Sequence, residues 1–219
     1  GCAKEFEKYL VKNGIECHTT IEDAKLMECV AQAQVIATTY SPSLIDIISE
    51  TNLVSNNLFA ENLLKTIGKE ITGVGSYDSA RVAVNRFFES QGLSLVGYTQ
   101  DDGSGLSREH YVSPRFFTKY YQMMMKSDTF AEYLESFPQP GEDRGTLKRV
   151  LKDEPTEVKE RIYAKSGSLS CVKCYAGYVI SAQGPIRFAI LVNNGSTSKM
   201  QSQIEGFMKE LSVYAGKKK

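Results

Sequence analysis

Three things are missing from this sequence, and each removes a class of function. Net charge is the first: Lys plus Arg and Asp plus Glu balance at 26 each in 219 residues. No global field therefore favours nucleic acid or an anionic membrane surface, and the Lys217-Lys218-Lys219 tail is too short to change that. Long apolar runs are the second: none approaches the ~18 residues a membrane-spanning helix needs. Metal and disulfide chemistry is the third. Five cysteines are an odd number and too sparse for a disulfide scaffold. Cys171-x-x-Cys174 is the only close pair, and the two histidines, His18 and His110, do not supply it with partners. A redox CxxC usually opens a helix, where the thiolate is stabilised. This one falls in a β-favouring run, where positions i and i+3 face opposite ways, so both cysteines read as structural. No metal and no cofactor is expected. Gly1-Cys2-Ala3-Lys4 runs straight into a charged amphipathic segment without a signal peptide, and this opening reads as a cut within a longer chain.

What is present suffices for a core: 42% of the residues are apolar. The pattern predicts a helix over 3–13 closed by Asn13-Gly14, and a short strand over 34–39. A helix is expected to open at Ser41-Pro42, with serine as N-cap and proline at its first position. The pattern then breaks at Ser55-Asn56-Asn57 and resumes from Leu58 to Gly68. In the plainer reading of that break, Ser55 or Asn57 caps the second helix. Further helices are expected at 77–91, from Pro114, at 130–137 and over 200–214, the last with Ile204, Phe207, Met208 and Leu211 on one side. Residues 93–98 read as a short β-like run. The charged stretch 139–160 reads as a surface excursion. From Tyr163 a run of β-favouring residues ends near Ile180, and a second strand, 186–192, follows across a turn at 182–185. Together these give an α+β fold in one domain: a mainly helical region over about 41–160, then an antiparallel hairpin and final helix over about 161–215.

Three polar segments stand out against this frame. Ser55-Asn56-Asn57 sits between two apolar helical segments. Asp102-Gly-Ser104-Gly-Leu-Ser107-Arg108 is a tight turn with two glycines, as a strained backbone requires. Lys165-Ser166-Gly167 opens a strand, with Lys165 and Gly167 on one face and Ser166 on the other. A lysine, a hydroxyl and an exposed glycine backbone suit an anionic, peptide-like ligand along the strand edge. Taken singly, each segment reads as an ordinary cap, turn or solvent-facing strand.

In order and spacing the three segments resemble the penicillin-binding proteins, and among them the D-alanyl-D-alanine carboxypeptidase/endopeptidases of the class C low-molecular-mass type (peptidase family S13). That family carries an S-x-N motif, matched by Ser55 and Asn57, and a D-G-S-G-L-S-R stretch, matched from Asp102 to Arg108. Its K-T-G motif on an edge strand is matched by Lys165-Ser166-Gly167, with serine keeping the hydroxyl. The resemblance implies a partial penicillin-binding/β-lactamase-like transpeptidase domain that acts on peptidoglycan stem peptides through an acyl-enzyme and is inhibited by β-lactams.

It also implies roles. Ser55 relays a proton to the leaving amine, and Asn57 holds the substrate backbone. Lys165 adds positive potential and Ser166 a hydroxyl toward the substrate's terminal carboxylate. Gly167 and the backbone N–H of Ser168 line the strand edge, the latter as an oxyanion donor. Asp102, Ser104, Ser107 and Arg108 form a supporting turn. The family's nucleophile belongs to an S-x-x-K motif that precedes all of these. The two formal matches here, Ser170 to Lys173 and Ser196 to Lys199, lie in the wrong place, so the nucleophile is expected in a missing N-terminal segment of the same protein. The implied compartment is the periplasm or cell envelope. A noncatalytic module that holds stem peptides in the same cleft is the alternative.

Overall fold

The structure is a computed structural model that describes residues 2–17, 35 and 37–217. They fall into two compact units that divide between Ser41 and Pro42. The first unit contains α1 (Cys2–Lys12), which ends as expected at Asn13-Gly14, with Gly14 at φ 78°. Of the strand expected at 34–39, residues 34 and 36 lie outside the described residues, and 35 and 37–39 have no regular structure.

The second unit begins with α2 (Leu44–Val54), α3 (Asn57–Thr72) and α4 (Tyr77–Ser90). A two-stranded ribbon follows, β1 (Tyr98–Thr99) with β2 (Tyr111–Val112), then α5 (Pro114–Met124), α6 (Phe130–Glu135) and α7 (Thr156–Lys159). It closes with β3 (Ile162–Leu169), β4 (Val172–Ser181), β5 (Gly184–Asn193) and α8 (Thr197–Gly216). The three long strands form one antiparallel sheet in the order β3-β4-β5, which leaves β3 at an edge. On one face, Ile204 and Met208 of α8 pack among Ile162, Ala164, Val179 and Phe188. On the other, Tyr121 and Phe137 from the helical region pack on Ala176 and Tyr178, and the Tyr178 hydroxyl donates to the Tyr121 carbonyl at 3.1 Å. Burying one such side chain is worth roughly 1.5–3 kcal/mol, so the two faces together fix the sheet between α8 and the helices.

Several elements differ from the sequence reading. The N-cap of α2 is Ser43, not Ser41, because the Ser43 hydroxyl accepts the Asp46 N–H and donates to its carboxylate. Gly68 does not end α3. It lies inside the helix, where a Cβ would come within 2.9 Å of the Ala80 backbone nitrogen, and this close approach lets α3 and α4 pack. The run from Tyr163 to Ile180 is two strands, β3 and β4, turning at Ser170-Cys171 with Cys171 in a left-handed conformation at φ 60°. Cys171 is thus a turn residue, and Cys174 alone lies in a strand. Residues 139–160 are more than a surface excursion, since Leu147, Val150, Leu151 and Val158 are buried. Phe207 does not join Ile204 and Met208, being 52% exposed.

Candidate active site

The break between α2 and α3 is divided among its three residues. Ser55 ends α2 in a left-handed conformation, φ 57° and ψ 53°, with its N–H bonded to the Thr51 carbonyl. That conformation costs a non-glycine residue roughly 1–2 kcal/mol, so the surroundings must hold it. They do so through two residues of α2 just before it. The Thr146 N–H donates to the Leu53 carbonyl at 2.9 Å, and the Asn52 amide donates to the Ser136 hydroxyl at 3.0 Å. Asn56, the middle residue, caps α3 by accepting the Phe59 N–H at 3.1 Å. Neither Ser55, the C-cap of α2, nor Asn57 is the N-cap of α3, and both are exposed.

Lys165 arrives from β3. Its Nζ donates to Ser55 Oγ and to the Ser166 carbonyl, each at 2.8 Å, and the first bond joins residues 110 positions apart. Burial disfavours the ammonium form and lowers the Lys165 pKa to about 8. The lysine is therefore a cation at neutral pH that yields its proton more readily than an ordinary lysine.

The edge of β3 follows from its hydrogen bonds. Arg161 accepts from Ile180 on the β4 side, while the Ala164 N–H points outward to the Pro138 carbonyl at 3.1 Å. Backbone groups alternate along an antiparallel strand, so the N–H groups of Ser166 and Ser168 point to the same outer side as Ala164. Gly167 and Ser168 are exposed there. A Cβ on Gly167 would meet only Cys174, at 3.6 Å, which leaves this stretch of backbone open on the Lys165 face.

The turn 102–108 is pinned to α3 instead of to the lysine. Asp102 accepts the N–H groups of Gly105 and Ser107 at 2.6 and 2.8 Å, and His110 Nε2 bonds to it at 2.9 Å. His110 Nδ1 accepts the Asp101 N–H at 3.3 Å, which leaves Nε2 as the ring nitrogen that donates to Asp102. Glu61, on α3, accepts the N–H groups of Gly103 and Ser104 at 3.2 and 3.0 Å. Gly103 lies so close that a Cβ would come within 2.4 Å of the Ala60 carbonyl oxygen.

A model of the D-Ala-D-Ala carboxypeptidase 3 (S13) family matches residues 2–212. The chain belongs to this S13 family. It is 29% identical over 216 residues to a D-alanyl-D-alanine carboxypeptidase of Actinomadura sp. (strain R39), covering 96% of this chain and 40% of the relative. It is 28% identical over 174 residues to D-alanyl-D-alanine carboxypeptidase DacB of Haemophilus influenzae, covering 78% and 36%. The chain thus spans two fifths or less of the length of these relatives. Its fold is that of penicillin binding protein 4 (dacB) from H. influenzae, solved with a novel β-lactam, at a TM-score of 0.80 and 24% identity over 99% of this chain and 51% of the other. A predatory endopeptidase from Bdellovibrio bacteriovorus, solved with an immunity protein, is similar at a TM-score of 0.64 and 19% identity, over 80% and 44%.

Within this S13 chain the structure brings Ser55, Lys165 and the open 166–168 edge together, with Asn57 at the first turn of α3. Asp102, Ser104 and Ser107 form the turn against that helix, and Arg108 is exposed. Two residues of the arrangement were not foreseen, Glu61 and His110. Glu61 follows Asn57 by four positions, so one helix face carries both, a spacing readable in the sequence. His110 has no such local signal. Neither S-x-x-K match pairs its serine with its lysine among the described residues: Ser170 lies in the β3–β4 turn, not in a strand, and the Ser196 hydroxyl bonds to Ser198.

The pinning carries an acid-stability prediction. For Asp102, burial raises the pKa, but the bonds from His110, Ser107 and Gly105 outweigh it and hold the carboxyl below its usual value. For Glu61, burial likewise opposes ionisation and is outweighed by bonds from Ser104, Gly103 and Tyr77. A depressed folded pKa stabilises the fold above the unfolded values, about 3.9 for Asp and 4.3 for Glu, and that contribution is lost as pH falls through the folded ones. Thermal melts are expected to show stability declining below pH ~4, with a shallower decline in the Glu61→Gln variant.

Proposed function

We propose that the chain is the S-x-N and K-S-G bearing part of a serine-type D-Ala-D-Ala carboxypeptidase/endopeptidase of peptidoglycan, whose nucleophilic serine lies outside these residues. The observation that carries this reading is the 2.8 Å contact from Lys165 Nζ to Ser55 Oγ beside an open strand edge. Family membership agrees with it, as does the β-lactam bound to a protein of the same fold. On this account the chain alone is inactive, and the complete enzyme works in the cell envelope on stem peptides, with β-lactams as inhibitors.

The chemistry is acyl transfer. The serine oxygen forms an ester bond to the penultimate D-Ala carbonyl carbon, the C–N bond breaks, and the terminal amine leaves with a proton. Water then hydrolyses the ester. Ser55, hydrogen-bonded to the Lys165 ammonium, passes the proton to the leaving amine, and Lys165 replaces it. Asn57 and the β3 edge hold the substrate backbone, with the Ser168 N–H as one oxyanion donor. Ser166 and the Lys165 charge face the terminal carboxylate. The turn 102–108, clamped by Glu61, fixes the first turn of α3 and hence Asn57.

The protonated form of Lys165 is the working one in this scheme. Second-order acylation of the complete enzyme by a penicillin is therefore expected to fall as pH rises through about 8, the Lys165 value. A rate that instead rises through that range makes Lys165 a base and contradicts the assigned role. Turnover of a D-Ala-D-Ala peptide separates this reading from a noncatalytic module, which binds the peptide and releases it unchanged.

A further inference from the structure

A groove of about 920 Å³ runs between the end of α4, the 92–96 loop and α5. It shares no residue with the Ser55–Lys165 cleft or the turn beside it. Its charged lining is of one sign: Arg115 and Lys119, one helical turn apart on α5, and Lys126 just beyond the helix, with no aspartate or glutamate. None of the three cations enters an ion pair among the described residues. In a chain whose charges balance overall, this is a local excess. Between the polar lining residues one wall is apolar and open, with Phe87 50% and Val96 86% exposed, and Met123 alongside.

We propose that this groove docks an acidic, amphipathic peptide segment of a partner protein. Its carboxylates meet Arg115, Lys119 and Lys126, and an apolar side chain seats against Phe87 and Met123. Charge complementarity selects an acidic occupant. The concave apolar wall selects one with side chains to insert, where a membrane offers a plane and a bare polyanion offers only charge. Arg115 and Lys126 are 11 positions apart, a span of about 16 Å if the rise of α5 is carried on to Lys126, which matches about three turns of a bound helix. Exposed ion pairs contribute little individually, so the apolar anchor must supply much of the affinity and the cations the selectivity and approach rate. A methionine in the wall suits an adaptable contact.

The test is fluorescence anisotropy of the 219-residue chain with a labelled helical peptide carrying Glu on one face and Leu and Phe on the other. Oligoglutamate of equal length and phosphatidylglycerol vesicles serve as the competing probes. The expected result is saturable peptide binding that weakens at raised salt. It should also weaken at least ~10-fold in both the Lys119→Glu/Lys126→Glu and the Phe87→Ser variants. Equal affinity for oligoglutamate, binding that either variant leaves unchanged, or binding to the vesicles but not to the peptide overturns the proposal. Should Phe87→Ser melt early, the exposed-lysine variant alone decides, because its substitutions leave the core untouched.

Discussion

Replacing Lys165 by alanine is expected to slow acylation of the complete enzyme by a fluorescent penicillin at least ~100-fold, the usual cost of one preorganised polar group in such a site. The substitution removes the only side-chain donor to Ser55 Oγ among the described residues and, in the proposed scheme, the charge set toward the substrate carboxylate. The fold should not suffer. Lys165 is a partly buried cation whose pKa is lowered by burial, so its loss removes a desolvation cost, and the melting temperature should stay level or rise slightly. Lys165→Arg keeps the charge but not the compact ammonium and should fall between the two in rate. Stopped-flow acylation beside a thermal melt checks both halves. A variant that loses activity and stability together would show Lys165 to be a packing residue.

Two glycines in the same sheet should give opposite results. At Gly177 a Cβ would stand 2.0 Å from the Tyr163 carbonyl oxygen and 2.8 Å from Ala164 Cα, both backbone atoms that cannot yield without separating β3 from β4. Gly177→Ala is therefore expected to cost at least about 3 kcal/mol. For a domain of this size that lowers the melting temperature by roughly 6–12 °C. At Gly167 the added methyl meets only Cys174, at an ordinary 3.6 Å. Gly167→Ala should leave the melting temperature unchanged or slightly raised, since alanine restricts the unfolded chain. It should still weaken substrate capture, because the methyl stands on the open face beside Lys165. Calorimetry on both variants, with acylation rates in the complete enzyme, measures the contrast.

The contrast also shows where sequence reasoning reached and where it stopped. Singly the three polar motifs read as an ordinary cap, turn and strand; they were legible only together, in their order and spacing and in their likeness to the S13 motifs. The pairing of Ser55 with Lys165 then followed from the fold. The β3–β4 hairpin was not legible. Its turn is Ser170-Cys171, and Cys171 adopts the left-handed conformation that Gly or Asn usually marks. Gly68 misled in the other direction. A glycine at the end of an apolar pattern reads as a stop, whereas here it is the contact point between α3 and α4. In 139–160 the charges hid an i, i+3, i+4 apolar set, Leu147, Val150 and Leu151, that is buried without a long helix to announce it. Glu61 and His110 were missed for a related reason: their partners lie in a turn whose docking on α3 depends on Gly103, a tertiary fact.

The central claim is that this chain supplies the proton-relay and substrate-holding half of an acyl-enzyme site whose nucleophile lies elsewhere in the protein. Mass spectrometry after incubation with benzylpenicillin tests it most directly, on the 219-residue chain by intact mass and on the complete protein by peptide mapping. The account predicts no adduct on the chain alone. In the complete protein it predicts one penicilloyl group, on a serine outside these residues. A stoichiometric adduct on Ser55, Ser170, Ser196 or any other serine of this chain contradicts it.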